Sequence, residues 1–101
     1  MIRKNVNIDH KNKFGNTGFM RACVNSNFKV MQILLKNKAN IDTQNKFGYT
    51  AFIVACILNN LNVIFFLVKN KANIEISCFK GNTGFIEACI KHRNNIIEFL
   101  L

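Results

Sequence analysis

The segment Asn12-Lys13-Phe14-Gly15-Asn16-Thr17-Gly18-Phe19-Met20-Arg21-Ala22-Cys23 returns 33 residues later as Asn45-Lys46-Phe47-Gly48-Tyr49-Thr50-Ala51-Phe52-Ile53-Val54-Ala55-Cys56. It returns once more as Cys78-Phe79-Lys80-Gly81-Asn82-Thr83-Gly84-Phe85-Ile86-Glu87-Ala88-Cys89. Aligned without a gap, residues 12–44 and 45–77 agree at 17 of 33 positions, where chance at this composition gives roughly three, so the chain is built of internal repeats. A unit of this size cannot bury its own apolar face, so neighbouring units must stack into an elongated surface rather than an enclosed cleft. The expected architecture is a mainly α solenoid of about three helix-turn-helix units joined by hairpin-like tips. It forms one array over residues 1–101: a leading partial link at 1–11, units at 12–44 and 45–77, and a third at 78–101 that stops after its second helix.

Within each unit the residues place the elements. Gly15, Gly48 and Gly81 supply the backbone freedom of a tight turn, and Thr17, Thr50 and Thr83 two residues later are natural N-caps. Phe19, Ala22 and Cys23, like Phe52, Ala55 and Cys56, then fall at i, i+3 and i+4, one face of a first helix whose small residues admit a close neighbour. Asn27 and Asn60 offer caps for a second helix, patterned Val30, Met31, Ile33, Leu34, Leu35 and Val63, Ile64, Phe66, Leu67, Val68, with Ile96, Ile97, Phe99, Leu100 and Leu101 in unit three. It ends at Lys36-Asn37-Lys38 and Lys69-Asn70-Lys71, where cations complement the helix dipole and Asn tolerates a left-handed cap. The links Ala39-Asn40-Ile41-Asp42 and Ala72-Asn73-Ile74-Glu75 read as extended.

These features resemble the ankyrin-repeat family. The 33-residue period, the Gly-x-Thr-x-hydrophobic-x-x-Ala-Cys opening, the Val-x-x-x-Leu-Leu second helix and the Ala-Asn-Ile-Asp link all match its unit, over essentially residues 6–101. The family's Thr-Pro-Leu-His stands here as Thr-Gly-Phe-Met, Thr-Ala-Phe-Ile and Thr-Gly-Phe-Ile, which removes a hydrogen bond at the helix start and implies a softer array. Gly18 and Gly84 in the first helical turn add a cost of about 0.5–1 kcal/mol each relative to Ala. Lys38 and Lys71 replace the family's glycine and leave a left-handed position to a less favourable residue. The Asn- and Ile-rich composition is similar to that of ankyrin proteins of large DNA viruses and AT-rich intracellular microbes.

The resemblance implies a non-catalytic protein-interaction module that binds through the turn tips and the exposed side of the first helix. Carried over by position, the tips are Lys13, Phe14 and Asn16; Lys46, Phe47 and Tyr49; and Phe79, Lys80 and Asn82, each pairing a lysine with an aromatic. On the first-helix surface stand Arg21, Asn25, Val54, Leu58, Glu87 and Lys91, with Val54 and Leu58 an apolar centre between polar flanks. The tip phenylalanines are either contact anchors or braces folded against the neighbouring turn. On the opposite side, Phe65 stands where Gln32 and Glu98 stand in the other units.

Charge gives the partner's sign. Fourteen Lys and Arg against five Asp and Glu leave a net charge of +9, suited to an acidic protein or, alternatively, to nucleic acid or an anionic surface. The 17 Asn, 13 Ile and 11 Lys are also residues of AT-rich codons, so genomic bias competes as the source of the basicity. Arg is scarce, the lysines are spread over tips, helix ends and links, and no recognition helix is present, which favours a protein partner over nucleic acid. No apolar run approaches the roughly 20 residues of a membrane span, and the expectation is an intracellular protein in the cytoplasm, with the nucleus left open.

Catalysis and cofactors are not expected. His10 and His92 lie at opposite ends of the array, there is no Gly-rich phosphate loop, and Asp42 and Glu75 are equivalent link residues. Cys23, Cys56 and Cys89 recur at one place, about 8–10 Å apart in a stack, too far for a disulfide or a shared zinc, and read as buried apolar side chains. His92 at i+3 from Cys89 is the single base near a thiol, and Cys78, on a turn, is either an exposed reactive thiol or inert. The helix ending in Phe99-Leu100-Leu101 has no polar cap, so it is expected to expose apolar area and to be covered by further repeats or by a second copy, or else to be loosely ordered.

Overall fold

The computed structural model describes residues 4–101. Six helices follow one another as three antiparallel pairs: α1 (Gly18–Val24) with α2 (Phe28–Lys36), α3 (Ala51–Ile57) with α4 (Leu61–Lys69), and α5 (Gly84–Ile90) with α6 (Asn94–Leu100). The pairs stack along one axis to give a body of 51 × 25 × 20 Å. Within it α1 packs on α3, α3 on α5, and α4 on α6.

The starts of the helices follow from side-chain caps. Thr17, Thr50 and Thr83 accept from the amides of Met20, Ile53 and Ile86 at 3.2–3.3 Å, while Asn27 and Asn60 accept from Val30 and Val63 at 3.3 Å. These bonds satisfy amides that the first turn leaves without an intrahelical partner. Unit three has no such asparagine. Arg93 occupies the cap of α6 without a side-chain bond to it, and its guanidinium instead reaches back to the Ile57 carbonyl at 2.7 and 3.2 Å.

Burial tracks position in the stack. The central helix α3 is sandwiched, so it buries Ala51, Phe52, Ile53, Ala55 and Cys56 rather than a single stripe. Phe19, Phe52, Met31, Val63, Ile64, Leu67 and Ile96 fill the rest of the core at 0–2% exposure. One thiol expectation is reversed and one open alternative is decided. Cys89 is exposed because, among the described residues, no further first helix packs on the outer face of α5, whereas Cys78 is buried beneath the third tip, leaving Cys23, Cys56 and Cys78 buried. Burial pushes the Cys23 thiol up from 9.0 to about 12, and burial together with the nearby Glu87 carboxylate does the same to Cys56.

At the ends of the second helices the left-handed position falls on the lysines, as the resemblance implied, and not on the asparagines. Asn37 and Asn70 keep φ near −96° and −92°, and their amides donate to Ile33 and Phe66 carbonyls at 2.8 Å. The left-handed residues are Lys38 (φ 68°) and Lys71 (φ 65°), with Ser26, Asn59 and His92 at φ 53–59° between the helices of each pair. The links are not extended strands but turns at Ile41-Asp42 and Ile74-Glu75. They are tied across the units, since Asp9 accepts from the Asn40 amide and Asp42 from the Asn73 amide, both at 2.9 Å.

Three outcomes follow from this packing. Leu67 is fully buried and Leu34 only partly, so Leu67→Ala should cost roughly 2–5 kcal/mol in denaturant titrations and Leu34→Ala clearly less. Lys38→Gly and Lys71→Gly should each raise stability by about 1 kcal/mol, because glycine enters the left-handed region without a Cβ clash. Alkylation of the native chain near neutral pH should label Cys89 first, with Cys23, Cys56 and Cys78 reacting only on unfolding; equal rates at all four, read by mass spectrometry, would contradict the burial pattern.

Candidate interaction face

Each tip is a tight turn held from within by an asparagine. The Asn12 carboxamide oxygen accepts from the amides of Phe14 and Asn16 at 2.9 and 3.0 Å, and Asn45 does the same for Phe47 and Tyr49. Cys78 takes that place in unit three, where backbone bonds between Cys78 and Asn82 and from Gly81 to Cys78, both 2.8 Å, keep the turn closed. Gly48 shows why the turn needs glycine. Its φ is +82°, and a Cβ there would lie 2.6 Å from the Phe79 nitrogen and 2.7 Å from the Phe79 ring.

Adjacent tips are joined through the main chain, with the Lys46 amide donating to the Phe14 carbonyl (3.0 Å) and the Phe79 amide to the Phe47 carbonyl (3.2 Å). The bracing therefore falls chiefly to the backbone. The phenyl rings themselves stay largely in solvent, with Phe14 at 50%, Phe47 at 57% and Phe79 at 72% exposure. Lys13 lies over the Phe14 ring at 5.2 Å from its centroid, and the Phe47 and Tyr49 rings sit 6.0 Å apart.

Two neighbouring hollows gather most of the residues that position had singled out. One, of about 470 Å³, is lined by Lys46, Phe47, Tyr49, Cys78, Phe79 and Lys80. The other, of about 240 Å³, is lined by Asn16, Met20, Arg21, Val24, Asn45, Phe47, Tyr49 and Val54. Phe47 and Tyr49 form the wall between them. The first has apolar sides with a lysine at each rim; the second has one cation, Arg21, and an apolar floor of Met20, Val24 and Val54.

Other candidates lie outside the hollows. Lys13 and Phe14 form the first tip, while Leu58 (52% exposed) and Lys91 cap the ends of α3 and α5. Asn16 and Asn82 are partly structural, because Asn16 accepts from the Asn45 amide at 3.1 Å and Asn82 donates to Glu87 at 3.0 Å. That second bond corrects the placement of Glu87, which is 8% exposed rather than a surface residue. Cys78, Met20, Val24 and Asn45 also line the hollows and are not among the residues that position singles out. Only the equivalence of Cys78 with Asn45 hinted at its inward position.

On the opposite side the Phe65 ring meets Phe99 edge-on at 4.6 Å, which ties the second and third pairs together and accounts for a half-exposed phenylalanine there. Among the described residues no three His, Cys, Asp or Glu side chains are gathered as a metal site, and no helix is long and apolar enough to cross a membrane.

No curated protein matches the chain. A family model described as ankyrin repeats (3 copies) matches residues 1–78 and 19–101, which together span the whole sequence. With stacked helix pairs and paired tips at a 33-residue period, the chain belongs to the ankyrin-repeat family.

Proposed function

We propose that this array is a non-catalytic binding module whose tips and first-helix face take up an acidic segment of a partner protein. The carrying observation is the hollow between the second and third tips, where Phe47, Tyr49 and Phe79 provide an apolar slot and Lys46 and Lys80 flank it. Its volume of about 470 Å³ is within the range of sites that accept a bulky side chain. Half-exposed aromatic rings on a hydrogen-bonded backbone lose little conformational freedom on binding, which is the property of interface anchors. The chemistry therefore suits a partner residue that is aromatic or long and aliphatic, preceded and followed by Asp or Glu.

Arg21, Asn16 and Val54 extend the same face along the first helix, and Lys13, Phe14, Asn82, Leu58 and Lys91 are its outer contacts. The net charge of +9 favours the encounter through long-range attraction. Nucleic acid fits this face less well, because its lysines are separated along three tips and the aromatic wall is confined to the second and third tips.

The test uses fluorescence anisotropy with short peptides that carry Phe or Leu between glutamates, and a generic oligonucleotide as competitor. Phe47→Ala or Phe79→Ala should weaken peptide binding ~10-fold or more while leaving thermal unfolding nearly unchanged. Binding should weaken as salt rises, because rim charges are screened. Preferential binding of the oligonucleotide at physiological salt, with a steep salt slope, would replace the protein partner by nucleic acid.

A further inference from the structure

The outer faces of the first and third helix pairs are complementary halves of the contact already used between the units. Gly84 opens α5 directly against Phe52 and Cys56: a Cβ there would lie 2.6 Å from the Phe52 ring and 2.9 Å from the Cys56 sulfur. Gly18 holds the same place on α1, yet nothing lies within 4 Å of where its Cβ would be. In the same unit Val30 is 37% exposed, whereas its equivalents Val63 and Ile96 are both at 0%.

At the far end the opposite half is bare. Ile86 is 40% exposed, against 4% for Met20 and 0% for Ile53 in the same place. Cys89 is exposed where Cys23 and Cys56 are buried. The link ladder is interrupted in step with this. Glu75 stands where Asp9 and Asp42 accept from the amides of Asn40 and Asn73, and Asn7 stands where Asn40 and Asn73 donate.

We propose that the α1 face of one molecule stacks on the α5 face of a second copy, seating Gly18 on Phe85 and Cys89 as Gly84 sits on Phe52 and Cys56. The same register brings Asn7 of the incoming copy to Glu75 and covers Ile86 and Val30 together. Such a contact joins unlike faces and repeats the step by which the helix pairs stack along one axis, so it stays open and successive copies add in line. Each copy carries +9, so the contact forms against like-charge repulsion and strengthens as salt screens it. The acidic-partner site responds in the opposite sense, which separates failure of one from failure of the other.

Sedimentation or light scattering of the 101-residue chain, from low to high micromolar concentration at low and high salt, reads the contact directly. The mass should climb continuously with concentration and climb further at high salt. Gly18→Leu places a side chain where the free chain has room, and Ile86→Lys puts a charge on the opposite face; each should keep the mass at one copy with thermal unfolding close to that of the parent. Mixing these two variants should restore a species of two copies and no more, because each retains the face the other has lost. Gly18→Cys should give oxidised ladders through Cys89 that vanish when Cys89→Ser is added. A monomer at every concentration, association untouched by Gly18→Leu, or crosslinks between Cys89 and Cys89 alone would each overturn the proposal.

Discussion

The stack depends on small residues at the start of one first helix meeting the phenylalanine of the one before it. Gly84 lies on the Phe52 ring so closely that a single added carbon would collide with it. Ala51, Ala55 and Ala88 keep the remainder of these helices narrow, all at 4% exposure or less. Because the backbones approach so nearly, Phe19 and Phe52 become fully enclosed, and a helix of only seven residues, too short to persist alone in water, acquires most of its stability from its neighbours. The second helices follow, with Val63, Ile64, Leu67 and Ile96 closing the core behind them.

That close spacing also determines what the polar groups can do. Asp9 and Asp42 reach the next link, the Asn60 amide reaches Ser26 at 2.7 Å, and Arg93 reaches the Ile57 carbonyl, so each unit is registered on the last at the link and between its helices. The tips add main-chain bonds from Lys46 to Phe14 and from Phe79 to Phe47. With the tips joined by main-chain bonds, Phe47 is released from bracing and, together with the Phe79 ring resting against Gly48, walls an open hollow. A stiff frame with exposed rings is a preorganised surface, which reduces the entropy that binding would otherwise cost.

Much of this was legible because a repeat states its own local chemistry three times. The threonine caps, the asparagine caps at Asn27 and Asn60, the glycine turns and the apolar faces of both helices follow from spacing and residue type alone. What escaped depends on neighbours in space. Cys89 has the sequence surroundings of Cys56 but no helix beyond it, so equivalent residues have unequal burial. Glu87 falls at a surface position of the unit, yet Asn82 draws it inward. The left-handed turns at Ser26, Asn59 and His92 carry three different residues and so leave no shared signal. The tips of the candidate site were legible as turns; the two hollows that meet at the Phe47–Tyr49 wall were not, since they depend on how the third tip leans on Gly48.

The left-handed residues have an effect that reaches beyond their own turns. Five non-glycine residues at positive φ each raise the internal free energy of a unit, while the glycine-on-phenyl contacts and polar ladders lower the free energy of joining units. In a linear array, weak units combined with strong junctions suppress partly folded states, because a unit that loses its neighbour has little reason to stay folded. The balance of these two contributions favours unfolding as one cooperative block.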